Sequence, residues 1–305
     1  MSILIVGAGA AGGYLGARLI AGGRDVTFLV HPPALARLSA EGLRVRHVTG
    51  LQTIPVDAVT VSELRGCYDV IVVAVRTNVV SSAINDISQA VAPGTRIVPI
   101  MNGISHLSML TAAFGLEVVL GAAARLATSL RADGTIEEIV PGVQLELGQL
   151  DGGRSDALSR TTAELAVDNV AVTVRDDVLA AMWEKFAFIT ANAVLTCLAG
   201  DTIGIIARAP GGRDLARSVL AEVAAAAAAD GHALAGSVLA GLEGNLTDPS
   251  STFGPSMLRD MKAGRPIEVT VLRDFHDRAR QHTIPTPLLD AALVVIDVHN
   301  LRTAA

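Results

Sequence analysis

The chain has 305 residues, of which half are apolar but only 3% aromatic and 18% charged, and its formal net charge is −6. Such hydrophobicity excludes a disordered chain, while two cysteines (Cys67 and Cys197) and the lack of a glycine period exclude a disulfide scaffold and a collagen-like fibre. The acidic balance gives no general pull toward nucleic acid or anionic lipid, and the sparse cysteines point to the reducing cytosol, so no nucleic-acid partner is expected.

At roughly 100–200 residues per domain, this length suits two domains. The mean hydropathy of +0.47 raises the question of a membrane. No run, however, approaches the roughly 18–20 uncharged apolar residues of a spanning helix. Glu222 precedes the alanine run 224–229, and Glu184 and Lys185 interrupt 178–200. The N-terminus carries no basic segment before its first apolar stretch, which is only strand length. A cytoplasmic, unprocessed protein without a membrane partner is expected.

Residues 3–6 form a continuous apolar run, as in a parallel strand buried on both faces. Gly7-Ala8-Gly9-Ala10-Ala11-Gly12 follows, matching G-x-G-x-x-G, and the spacing of Leu15, Leu19 and Ile20 predicts a helix over 13–21. Gly22 and Gly23 stop it, and 25–30 reads as the second strand of a βαβ unit. Gly7 permits the tight turn, Gly9 lets backbone N–H groups approach a pyrophosphate, and Gly12 lets helix and strand pack closely. A turn needing glycine for backbone reasons alone is the bland alternative.

A site that prefers NAD places Asp or Glu at the end of the second strand, where this chain has Val30-His31-Pro32-Pro33. With no carboxylate to repel a 2′-phosphate, NADP (NADPH) is the expected cofactor, contacted by His31 and by Arg37 on the next helix. Further strands are expected over 68–75 and 96–100, followed by Arg76-Thr77-Asn78 and Asn102-Gly103. Ligands of open α/β sheets gather at the carboxyl ends of strands, so Arg76 and Asn102 stand where a nicotinamide and substrate would lie. The run over 137–148, alternating over 143–147, reads as a half-exposed strand, and 152–155 as a loop.

From about Asp176 the pattern turns to alanine-rich helical stretches, with helices expected over 177–199, 213–234, 255–263, 269–282 and 287–301. The expected division is a Rossmann-type, doubly wound α/β dinucleotide-binding domain over 1–175 and an all-helical substrate and catalytic domain over 176–305. Lys185 lies between Trp183 and Phe186 in a strongly apolar helix, where a charge costs free energy and an amine tends toward a lowered pKa suited to proton donation. Snorkelling to solvent or pairing with Glu184 is the alternative. At ~100° per residue, Lys185, Ile189, Asn192 and Thr196 share one face. Ser256 and Glu268 open two further helices and read equally well as helix caps. No metal is called for.

These residues resemble a known family. The GAGAAGGYLGARL segment, Asn102-Gly103, Met182-Trp183-Glu184-Lys185-Phe186, and the stretch from Ser256-Met257-Leu258-Arg259-Asp260 to Arg265-Pro266-Ile267-Glu268 look like ketopantoate reductase (2-dehydropantoate 2-reductase), in order and spacing over nearly the whole chain. The resemblance implies NADPH-dependent reduction of 2-dehydropantoate to pantoate, a step of pantothenate and coenzyme A biosynthesis. It makes Lys185 the proton donor and Glu268 a catalytic residue that holds substrate hydroxyl or cofactor. Ser256 and Asn192 then bind the substrate, and Asn102 orients nicotinamide and lysine. The partner is a small 2-oxo acid, and a homodimer is left open. This chain departs from the family's usual arginine at His31, lysine at Arg76, and asparagines at Ile189 and Ala193. The lost asparagines keep open a reductase of another 2-oxo acid, and a catalytically lapsed NADP-binding regulatory protein is the remaining alternative.

Overall fold

The computed structural model describes residues 1–304. The chain divides into two units, Met1–Met182 and Trp183–Ala305.

In the first unit, strand β1 (Ser2–Val6) leads through the glycine turn into helix α1 (Ala10–Ala21), then β2 (Asp25–Leu29) and α2 (Pro32–Glu41). Three short strands follow, β3 (Leu43–His47), β4 (Gly50–Ile54) and β5 (Asp57–Val59). After them come β6 (Val70–Val73), α3 (Val80–Ile87), β7 (Arg96–Pro99) and α4 (His106–Phe114). The unit continues with β8 (Leu120–Leu130), β9 (Ile136–Gln149), α5 (Asp156–Leu165) and β10 (Val170–Val174).

One sheet runs β5-β2-β1-β6-β7, every pair parallel, which in chain count is the order 3-2-1-4-5 of a dinucleotide-binding fold. Its central strand β6 carries no polar residue and is buried throughout, as expected where both faces are covered. The second sheet, β10-β9-β3-β4 with β8 antiparallel to β9, is mixed. Of it the sequence predicts only β9, over 137–148. Four of the five residues of β4 are exposed, so it lacks an alternating pattern, and β8 is rich in alanine, a helix former.

Helix α1 lies between the two sheets, and its glycines set how closely they approach. A Cβ on Gly16 would stand 2.3 Å from the Phe28 ring, and one on Gly12 would stand 2.7 Å from the Ala74 methyl group. On the opposite side, a Cβ on Gly13 would reach 2.4 Å from Ile136 of β9. Each glycine costs a helix interior about 1 kcal/mol relative to alanine, and the burial of both sheets on α1 offsets it.

A buried polar cluster completes this attachment. The Tyr14 hydroxyl donates to Glu138 of β9 and accepts the Gly142 N–H at 3.0 Å. Arg18, one turn along α1, donates to the same carboxylate, and His47 of β3 sits 3.1 Å from it. Burial pushes the Glu138 carboxyl up, but the bonds from Tyr14, Arg18 and His47 outweigh it and hold it below its usual range. A carboxyl whose folded pKa is depressed adds stability above its unfolded value, near 4.3, and loses it as pH falls through the folded value. Glu138→Gln is therefore expected to cost about 3 kcal/mol at pH 7, with the difference from wild type shrinking below about pH 4 in urea titrations.

The second unit is helical. Helix α6 (Val178–Ala199) enters it, followed by α7 (Ile203–Arg208), α8 (Gly212–Ala229), α9 (Gly236–Thr247), α10 (Ser256–Lys262), α11 (Thr270–Gln281) and α12 (Pro287–Thr303). The sequence does not anticipate α7 and α9, because α7 is short and α9 has three glycines where apolar periodicity would show. Helix α8 ends five residues before the predicted 234: Asp230 caps it and Gly231 turns the chain with φ +87°. Helix α6 is long and apolar enough to cross a membrane, but 72% of its most apolar stretch is buried inside the fold. Trp183 anchors its second-unit end, stacked on His232 at 4.9 Å and set edge-on to Phe275 at 6.1 Å, with Phe186 and Phe275 also in edge contact. Cys67 and Cys197 are both free, and burial pushes the Cys197 thiol up to about 12.

Candidate active site

The first unit supplies the glycine loop and the strand ends beside it. Gly7 takes φ +99°, and a Cβ there would meet the Ala74 carbonyl at 3.1 Å, so both backbone and space demand glycine. At Gly12 a Cβ would lie 2.2 Å from the Gly7 carbonyl, which makes this glycine the contact between turn and helix. Gly9 is different. Its φ is −79°, open to any residue, and no protein atom lies within 4 Å of the position its Cβ would take. Nothing in the protein requires glycine at that point, whereas a pyrophosphate laid against the backbone would.

Gly9 is also the cap residue of α1, and no side chain bonds the helix start. The first turn of a helix has N–H groups without intrahelical partners and a positive dipole end, which suits an anion. Ala8, Ala10 and Ala11 line the loop and are partly exposed. The unit thus has a cradle that fits the diphosphate of a dinucleotide, with Gly9, Ala10, Ala11 and Gly12 offering backbone rather than side chains.

At the neighbouring strand ends, Arg76 is exposed two residues beyond Ala74, the residue that both Gly7 and Gly12 touch. Asn102 is exposed after β7, just before Gly103 at φ +75°. His31 is exposed at the end of β2 and is the cap residue of α2. Arg37 departs from the expected phosphate contact. It folds over the β8–β9 turn, where its Nη1 donates to the Gly134 carbonyl at 3.4 Å.

The second unit carries Lys185 on α6, the segment leading into Ser256 packed near it, and Glu268 in the loop before α11. Trp183 and Phe186 are 1% exposed and face the interior, whereas Lys185 and Ile189 are partly exposed on the other side of α6. Phe188 beside them packs on Phe253 at 5.7 Å between ring centroids. That contact holds the segment leading into Ser256 against α6, one turn from Lys185. Asn192 shares the face but is fully buried, and its amide donates to the Phe188 carbonyl at 2.8 Å. Its Oδ1 has no hydrogen-bond partner among the described residues.

The cap reading of Ser256 and Glu268 fails on position. Pro255 caps α10, and Val269 caps α11, with Glu268 in the loop before it. A residue that sequence reasoning misses fixes this loop: Asn300 of α12 accepts the Ile267 N–H at 2.7 Å and donates to the Ile267 carbonyl at 3.0 Å. Ile267 is thereby clamped next to the exposed Glu268. The pairing spans 33 residues and leaves no local pattern to read.

A Rossmann-order sheet with a diphosphate cradle, followed by a helical unit presenting a lysine, defines an oxidoreductase of the nicotinamide-dependent class. The family comparison agrees: residues 3–152 match the model "Ketopantoate reductase PanE/ApbA" and 177–300 match its C-terminal counterpart. The chain belongs to the ketopantoate reductase family. It is 28% identical over 320 residues to the 2-dehydropantoate 2-reductase of Mesorhizobium japonicum, covering 97% of each chain. It is 27% identical over 300 residues to the uncharacterized oxidoreductase YkpB of Bacillus subtilis (strain 168), covering 98% of this chain and 99% of that one. Among solved structures, 2-dehydropantoate 2-reductase from Geobacter metallireducens GS-15 superposes with a TM-score of 0.85 at 27% identity, over 98% of this chain and 99% of that one. D-mandelate dehydrogenase with NADH and anilino(oxo)acetate shares the fold at a TM-score of 0.87 and 20% identity, over the full length of both.

The glycines separate ligand binding from folding. Gly9→Ala is expected to leave the thermal midpoint within about 1–2 °C of wild type while weakening dinucleotide binding at least tenfold, read by calorimetric titration. Gly12→Ala, with its 2.2 Å clash, is expected to lose several degrees of stability in the same melt.

Proposed function

We propose that the protein reduces the keto group of a 2-oxo acid at the expense of a reduced nicotinamide dinucleotide, with Lys185 giving the proton. The observation that carries this reading is Lys185 itself, partly exposed on the one open face of an otherwise buried apolar helix. The dinucleotide supplies a hydride to the keto carbon when bound. Lys185 donates a proton to the oxygen as charge develops there, and its cation stabilises that charge beforehand. Ser256 and the clamped Glu268 bind the substrate, while Arg76 and Asn102 serve the nicotinamide end of the cofactor and the loop from Gly7 to Gly12 its diphosphate. NADPH is a proposed cofactor, since no carboxylate follows β2 to repel its 2′-phosphate. The product is the corresponding 2-hydroxy acid.

The proposed substrate is 2-dehydropantoate, a reading supported by the relatives of that name and by the assignment of Ser256 and Glu268. It places the protein in pantothenate biosynthesis. A second reading, another 2-oxo acid with an apolar side chain, is favoured by the surface next to Lys185. Ile189 and the Phe188–Phe253 pair are apolar there, and Asn192 turns its amide N–H to its own helix. An apolar surface beside Lys185 offers a substrate hydroxyl no partner there and discriminates only weakly in favour of a hydroxylated acid.

A panel of 2-oxo acids separates the two readings. Turnover highest with 2-dehydropantoate supports the first, and turnover highest with branched or aromatic acids supports the second. Lys185→Ala is expected to lower kcat by at least about a thousandfold in either case with cofactor affinity unchanged. Ile189→Asn is expected to raise kcat/KM for 2-dehydropantoate relative to an unhydroxylated acid by about tenfold. Cofactor binding without turnover of any acid in the panel would identify a lapsed enzyme.

A further inference from the structure

Resting on the dinucleotide reading above, we propose that this protein leaves the 2′ position of the adenosine ribose almost unread and takes NADH and NADPH with affinities within about tenfold of each other. In this fold the residues at the end of β2 choose between the cofactors, a carboxylate binding a 2′-hydroxyl and a cation binding a 2′-phosphate. Here that strand end carries neither Asp, Glu, Arg nor Lys over 30–33. On either side of His31 the backbone is equally unavailable. Pro32 and Pro33 have no N–H, and those of Ala34 and Leu35 already donate to the His31 carbonyl at 2.9 and 3.0 Å. Val30 is 8% exposed and gives its N–H to Val59.

The surrounding elements do not fill the gap. Arg37, the first cation on α2, is engaged over Gly134, whose Cβ would come within 2.7 Å of the guanidinium carbon. The neighbouring strand β5 is followed by Thr60, whose N–H and hydroxyl both donate to Glu63 at 2.9 and 2.7 Å. At the end of β2 itself, what remains is the exposed His31 side chain, Arg76 lying at the end of β6. It lacks the carboxylate that would repel a 2′-phosphate and the guanidinium fork that would hold it in bidentate fashion. Neither cofactor therefore gains a decisive contact or meets a decisive penalty.

Calorimetric titration of the purified protein with NADH and with NADPH, and with 5′-AMP and 2′,5′-ADP as fragments, tests this without any turnover. The two dinucleotide dissociation constants are expected to agree within tenfold, and so are those of the two fragments. His31→Arg is expected to move the ratio toward NADPH by at least tenfold and His31→Asp toward NADH by at least tenfold, while Glu63→Gln leaves it unchanged. Melting curves of these surface variants verify that they fold. A wild-type preference beyond tenfold in either direction would overturn the proposal, as would His31 variants that leave the ratio where it was or a Glu63→Gln protein that shifts it tenfold. Failure of both dinucleotides to bind would instead overturn the dinucleotide reading on which the proposal rests.

Discussion

Helix α1 has a sheet on each side, and glycine determines how near those sheets come. Gly12 and Gly16 admit the parallel sheet and Gly13 admits the mixed sheet, so a single added methyl group would collide on either face. This close seat fixes the direction in which α1 starts, and that start is the end of the helix suited to an anion. The Tyr14–Arg18–His47–Glu138 cluster fastens the same helix from its second turn. Packing on the flanks of α1 thus sets the geometry of the turn before it, where Gly7 and Gly12 touch Ala74 and Gly9 alone faces open space.

The second unit applies a different rule to a similar problem. Helix α6 carries both a buried aromatic side and a partly exposed side, and the buried one, through Trp183, Phe186 and Phe275, fixes the rotation of the other. Lys185 is held at its place by what lies behind it. Asn300 does the same for Glu268 through the backbone of Ile267. The side chains proposed to meet a substrate thus rest on neighbours that contribute nothing to the chemistry itself.

Legibility in the sequence followed the kind of force involved. Strands β1, β6 and β7 are built on short aliphatic runs, β2 carries Val26, Phe28 and Leu29, and the glycine turn stands in its expected place between strand and helix, so this sheet could be read directly. Helices α6, α8, α10, α11 and α12 announce themselves by apolar spacing and by glycine or proline stops. The second sheet does so only in β9, because β4 is mostly exposed and β8 is rich in alanine, and β5 at the edge of the first sheet has only three residues. Contacts far apart in sequence were invisible as well: Tyr14 to Glu138 spans 124 residues, and Arg37 leaves its own helix end for a turn 97 residues away. Lys185 was found by its oddity, a charge in an apolar helix, although the structure gives it a partly exposed place rather than a buried one.

The most direct measurement is transfer of deuterium from nicotinamide cofactor labelled at C4 into a 2-oxo acid, followed by mass spectrometry of the product. Wild-type protein should place deuterium at C2 of the 2-hydroxy acid, and Lys185→Ala protein, binding the cofactor equally well, should place almost none. Cofactor binding without deuterium in any product, or full transfer by the Lys185→Ala protein, would contradict the role given to this lysine.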